Sequence, residues 1–238
     1  MKKEEIPIAL DAKHEKKLLG SALFAACNIK AYRMLSQSLT PVSVRKGQSF
    51  AAASRSPSVI FLLEGSMDVH TSNDVLLFTF KAGDFFEPVS MFSQIQPLLP
   101  LYLRARTNCI FTTLEKAVLV PLLDRDPVLS QNYMKISANL LQLALCRLEH
   151  FTAATPSIAL ALYLLRNHAH HLLKLSDGFA GLARRLNISR ATLYRALSEL
   201  EQLGLVAHQE KTIHILSYQG LLDFARSPDP PEASAPAK

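Results

Sequence analysis

The hydrophobic pattern of this chain changes its period at Asp126, and that change divides the molecule in two. Before it, from about Thr40 to Pro121, the apolar runs are short. "SVIFLLEGSMDVH" breaks at Gly65 and "DVLLFTFKAGDFF" breaks at Gly83. With Gly47, these glycines hold turn positions where a positive φ is cheap only for glycine. "PLYLRART" and "KAVLVPL" read as two further strands. Short strands with turn signals at fairly regular spacing predict an all-β barrel, sandwich or jelly roll. After Pro127 neither Gly nor Pro occurs until Pro156, and the period is that of a helix from Asp126 to about Thr155.

Two apolar seams run along this helix. One is Tyr133, Ile136, Leu140 and Leu143; the other is Met134, Leu141, Leu145 and Leu148. A helix apolar on two sides must be covered on two sides. The β-rich part of the same chain can cover one, and a twin helix is the simplest cover for the other. Tyr133, Ile136, Leu140 and Leu143 are taken as the dimer contact. The alternative is a helix buried inside one large domain.

"ATPS" breaks the helix, and Pro156 suits the start of the next, "SIALALYLLRNHAHH". "SDG" (Ser176 to Gly178) is a turn. It leads into "LARRLNISRATLYRALSELEQLGLV", Leu182 to Val206, where four arginines precede the first acid. Leu182 and Leu186 lie one turn apart, Ile188 can plug the gap between two helices, and Ser189 is a good N-cap. The helix that follows turns Leu193, Leu197 and Leu200 inward. Its outward face near the N-terminus shows Arg190, Ala191, Tyr194, Arg195 and Ser198. Gly204 supplies a C′ glycine, and "LVAHQEKTIHIL" reads as two short strands around a turn. This is helix-turn-helix logic with a wing. The second helix, about 189–203, is expected in the major groove with its N-terminal residues on base edges. Arginine fits because its fork matches guanine O6 and N7. Ser189, Thr192, Arg184, Arg185 and Lys211 are the candidates for phosphate contact. The alternative is a helical hairpin with a solvated basic face.

In order and in motif the chain from about Leu39 to Leu216 resembles the Crp/Fnr superfamily, the cyclic-AMP receptor and fumarate/nitrate regulator type of transcription factor. "FLLEGSMDV" resembles the strand and glycine turn of that family's β-roll, "KAGDFF" the turn before its effector pocket, and "ISRATLYRALSELEQLGLV...KTIHI" its recognition helix and wing. The resemblance implies an α+β protein: an N-terminal β-roll (a double-stranded jelly roll, like a cyclic-nucleotide-binding domain), a long central dimerisation helix and a C-terminal winged helix-turn-helix. It also implies a homodimer on a two-fold symmetric operator. Arg190 and Arg195 match the two arginines of the receptor's Ser-Arg-Glu-Thr-Val-x-Arg pattern, and Ser189 and Thr192 its Ser and Thr. The base-reading Glu of that pattern is Ala191 here. Alanine can touch a thymine methyl but cannot accept a hydrogen bond from cytosine.

The sensory half departs further. The position of the ribose-holding Glu falls at Pro88, and the phosphate-binding Arg-Ser pair at Leu99 and Pro100; Glu87 is one residue off. Cyclic AMP is therefore not expected, because a phosphate without a charge partner is poorly held. The iron–sulfur branch needs a cysteine cluster that Cys27 alone cannot form. The candidate effector pocket is apolar, with Phe85, Phe86, Glu87, Met91, Leu99 and Leu101; the alternative is a filled core with no ligand.

The remaining features exclude other classes. Cys27, Cys109 and Cys146 are too scattered for a disulfide framework or a metal knuckle. His168 and His171, three apart on the expected helix, lack a third metal ligand, and His70 reads as an exposed strand residue. No Ser/His/Asp order and no phosphate-cradling loop points to an enzyme. No apolar run reaches membrane-spanning length, and the charged N-terminus does not suit a signal peptide, so a cytoplasmic protein is expected. A net charge of +6 suits a polyanion partner. The expected organisation is a β-roll sensor with N-terminal helices (1–123), a central dimerisation helix (124–153), a winged helix-turn-helix (154–226) and a disordered tail (227–238). Expected partners are double-stranded DNA and a second copy, with RNA polymerase and a small-molecule effector as further candidates. No cofactor or metal is expected. The alternative function is a β-roll ligand-binding or protein-interaction module that does not bind DNA.

Overall fold

The structure is a computed structural model describing residues 6–7, 10–28, 32, 39–52, 58–87, 92–93 and 99–226. The expected tail, Met91 and Pro88 lie outside the described residues. The chain divides into two compact units, Met1–Gln142 and Leu143–Lys238.

The first unit carries β1 (Ile6–Pro7), α1 (Ala12–Leu19), a 3-10 turn (Ala22–Phe24), β2 (Val42–Val44), β3 (Ser49–Ala51), β4 (Ser58–Glu64), β5 (Ser66–His70), β6 (Leu76–Lys81), β7 (Phe85–Phe86), β8 (Tyr102–Ala105), β9 (Cys109–Glu115), α2 (Lys116–Arg125) and the start of α3 (Pro127–Phe151). The strands form two antiparallel sheets, ordered β1-β2-β9-β4-β7 and β3-β8-β5-β6. The run "VIFLL" (Val59 to Leu63) is apolar throughout because β4 is buried on both faces. Val59, Phe61 and Leu63 join a core with Leu18, Leu23, Leu119 and Leu129. Ile60 and Leu62 point the other way, into a roll core with Met67, Val69, Leu103 and Phe111. The strand's period of two assigns each residue to its core.

One expected strand is a helix. "KAVLVPL" lies in α2, where Leu119 and Leu123, one turn apart, are buried and Val118 is exposed. A short apolar run does not distinguish a strand from a buried helix by itself. The strand is the segment before it, β9, which pairs with both β2 and β4. The long helix starts at Pro127 and ends at Phe151, with Asp126 as its cap: the Asp126 carboxylate accepts from Val128 N at 2.9 Å and from the Tyr32 hydroxyl at 2.5 Å.

The second unit holds the rest of α3, then α4 (Pro156–Asn167), β10 (Leu172–Lys174), α5 (Gly178–Leu186), α6 (Arg190–Gln202), β11 (Val206–Gln209), β12 (Thr212–Ile215) and α7 (Tyr218–Arg226). Thr155 caps α4, accepting from Ile158 N at 3.2 Å, with Pro156 in the first turn. The strands make one antiparallel sheet, β10-β12-β11. Leu160, Leu164, Leu182, Leu193, Leu197, Leu200, Ile213 and Leu221 meet in one core. The helix does not run through "HAHH" as the sequence suggests. It stops at Asn167; His168 is extended, and His170 and His171 have φ of 51° and 62°.

Gly65 joins β4 to β5 with φ +86°, and a Cβ there would lie 2.5 Å from the Asn108 carbonyl oxygen and 2.7 Å from Cys109 Sγ. Gly65→Ala should therefore destabilise the first unit by about 2–4 kcal/mol, measured by urea unfolding. His150, in the last turn of α3, is 7% exposed, and neither ring nitrogen has a hydrogen-bond partner among the described residues. Burial, reinforced by the charges of Arg147 and Arg166, lowers its pKa to about 4. The unfolded imidazole titrates near 6.5. Between those values the unfolded chain binds a proton that the folded chain refuses. Stability should hold above about pH 6.5 and fall by about 3 kcal/mol as the pH drops to about 4. Unfolding curves across that window should show this slope, and His150→Leu should flatten it.

Candidate nucleic-acid interface

The interface is built on the turn between α5 and α6. Asn187 closes α5 in the left-handed conformation, φ 56° and ψ 40°, which asparagine tolerates. Ile188 N donates to Ala183 O at 3.1 Å, and the Ile188 side chain packs against the core. Ser189 then caps α6, its Oγ accepting from Thr192 N at 3.0 Å and lying 2.8 Å from Thr192 Oγ1. Leu193, Ala196, Leu197 and Leu200 are buried. Helical geometry leaves Arg190, Ala191, Tyr194, Arg195 and Ser198 exposed on the other face. Arg195 Nη2 is 3.4 Å from Thr192 Oγ1, so the guanidinium leans toward the helix start. The first-turn N–H groups that Ser189 does not cap, and the positive end of the dipole, add to that site.

The phosphate candidates separate. Arg184 is exposed on α5, whereas Arg185 is held in the unit by a 2.5 Å bond from its Nη2 to Asp177 Oδ2. The Arg185 carbonyl accepts from the Arg147 guanidinium. Arg185 is thus a tether, since successive helical residues point about 100° apart. Lys211 is exposed in the turn between β11 and β12, after Glu210 with φ 50°.

Three residues that the sequence did not single out support the exposed face. Phe179, on α5, lies 5.4 Å from the Tyr194 ring, tilted by 40°. The His208 ring, on β11, meets Phe179 edge-on at 5.5 Å. Glu201, on α6, accepts from His208 N at 2.9 Å, with His208 Nδ1 2.7 Å away. The contacts join three elements, so spacing along the chain carried no signal for them.

The two seams of α3 fare differently. Tyr133 is buried in the first unit: its hydroxyl donates to Glu87 Oε2 at 2.5 Å and its ring stacks on Phe85 at 6.2 Å. Burial, with the Glu87 carboxylate beside it, raises the Tyr133 pKa. Ile136 packs against the same core. Both are covered by their own chain, contrary to the expected dimer contact; Leu140 is half-buried and Leu143 exposed. Met134, Leu141, Leu145 and Leu148 are 60%, 63%, 46% and 56% exposed.

The expected effector pocket does not assemble among the described residues. Phe85 and Phe86 face opposite cores because they are neighbours on one strand. Glu87 bonds Tyr133, Leu101 packs against the roll core, and Leu99 is 62% exposed. His70 is buried rather than exposed, with Nδ1 3.3 Å from the Asp74 carbonyl oxygen. The rings of His168 and His171 stack at 5.4 Å. No cluster of three metal-ligating side chains occurs among the described residues, and none of the three cysteines is in a disulfide. No helix among those residues is long and apolar enough to cross a membrane.

Residues 159–224, which span α4 to α7, match the family of Crp-like helix-turn-helix domains. The second unit contains a Crp-like helix-turn-helix domain. No curated protein matches the chain. Among solved structures, a CooA mutant from Carboxydothermus hydrogenoformans is similar with a TM-score of 0.64 and 17% identity, covering 79% of this chain and 88% of that one. FixK2 from Bradyrhizobium japonicum gives 0.54 and 18%, covering 78% and 96%. A transcriptional regulator of the Crp/Fnr family from Eubacterium rectale gives 0.55 and 15%, covering 86% and 98%. The chain therefore has the Crp/Fnr fold, a β-roll followed by a helix-turn-helix, and its Crp-like domain carries the exposed arginines.

Proposed function

We propose that the protein is a transcriptional regulator that binds a two-fold symmetric DNA operator as a homodimer, with α6 in the major groove. One observation carries the reading: a capped helix of a Crp-like domain buries its leucines and leaves Arg190, Ala191, Tyr194 and Arg195 exposed at its N-terminal half. Arg190 and Arg195 present forks to guanine O6 and N7. Ser189, Thr192 and Arg184 meet phosphates beside the helix start, and Lys211 meets them from the wing.

The dimer contact is the seam Met134, Leu141, Leu145 and Leu148. Its steps of seven, four and three follow a coiled-coil repeat, and such exposed apolar residues gain by meeting a twin helix. A two-fold protein then matches a two-fold operator.

Arg195→Ala should cost on the order of 1–3 kcal/mol per half-site and blur operator preference, whereas Lys211→Ala should weaken all sequences evenly and lower the salt slope by about 1. Fluorescence anisotropy titrations at several salt concentrations read both; unchanged operator binding in the two variants would refute the docking. Leu141→Lys should leave the fold intact, as the side chain is exposed, and shift the protein to monomer in sedimentation equilibrium. A variant still fully dimeric would exclude this seam.

A further inference from the structure

We propose that Ala191 and Tyr194 together form an apolar reader for the C5-methyl group of thymine, placed between the two arginine forks. Phe179 and His208 act as positioning residues for the Tyr194 ring. The inference rests on the DNA-binding reading above and assigns the base that its central residues select.

Ala191 and Tyr194 are three apart on α6 and both exposed, so their side chains are neighbours on one surface. Arg190 precedes Ala191, and Arg195 follows Tyr194. The methyl of Ala191 has neither donor nor acceptor. Tyr194 is 48% exposed. Of the four base edges in the major groove, only thymine offers an apolar group, its C5-methyl. A methyl beside a ring face is a surface that a cytosine amino group or an adenine edge would lose hydration against without compensation.

An exposed tyrosine is a poor reader if its ring swings freely. Here the ring lies against Phe179, 5.4 Å between centroids. The Phe179 and His208 rings in turn meet in a T-shape, 5.5 Å between centroids. His208 is fixed by Glu201, which takes its backbone N–H at 2.9 Å and stands 2.7 Å from its Nδ1. Recognition helix, preceding helix and wing strand thus converge behind one exposed ring. Such support lowers the rotamer entropy lost when the ring meets DNA.

The test starts from a two-fold symmetric duplex selected by the full-length protein from a randomised pool. Each thymine of one half-site is then replaced singly by deoxyuridine, which removes only the methyl. One position should weaken wild-type binding about fourfold, the worth of about one buried methyl group. Tyr194→Phe should keep that ratio, since the ring and not the hydroxyl reads the base. Tyr194→Ala should bring the ratio near one while retaining the guanine preference set by the arginines. Phe179→Ala should lower the ratio without abolishing binding. A selected half-site without a required thymine, a wild-type affinity indifferent to every deoxyuridine, or an unchanged ratio in Tyr194→Ala would overturn the proposal. Failure to select any duplex would instead overturn the DNA-binding reading, and this proposal with it.

Discussion

The seating of the leucine face of α6 on the second unit's core is the contact on which the exposed arginine face depends. Leu193, Leu197 and Leu200 are buried among Leu160, Leu164, Leu182 and Ile213. A helix of 13 residues is marginal alone in water. Packing gives it its stability and fixes its rotation, and the rotation decides which side chains face outward. The Ser189 cap fixes where the helix begins and so where its dipole and free N–H groups point. A shift of one residue in that register would turn the arginines aside and bring leucines into solvent.

The first unit obeys a related constraint. β4 is covered on both faces, so two cores share one strand, and the core on one side extends through Leu129, Tyr133 and Ile136 of α3. The helix therefore buries the first two residues of one seam, Tyr133 and Ile136, on its own chain. The seam left exposed is the one around Leu141 and Leu145. The Tyr133–Glu87 bond ties the first turns of α3 to the end of β7.

Much of this was legible in the sequence. The glycine-punctuated strands, the long helix, the capped recognition helix and the wing all follow from local patterns of period, cap and turn. What local pattern could not supply was long-range partnership. "KAVLVPL" read as a strand because its apolar run is short, and only the packing of Leu119 and Leu123 shows the helix. The two seams of α3 are equally apolar, so spacing did not say which one the roll would cover. Arg185 looks like Arg184 until Asp177 is seen beside it. Phe179 and His208 were silent because their roles depend on contacts across three elements. Phe85 and Phe86 were grouped as one pocket, although neighbours on a strand must face opposite ways.

On the proposed function, the exposed arginines of the Crp-like domain read DNA sequence as a pair on one operator. The most direct measurement is a map of the DNA bound across the genome by the wild-type protein and by Arg195→Ala. The wild-type map should show an inverted repeat whose half-sites are centred about 10–11 base pairs apart or a multiple of that, with its enrichment lost or blurred in the variant. Bound regions that share no inverted repeat, or a repeat occupied equally by both proteins, would contradict it.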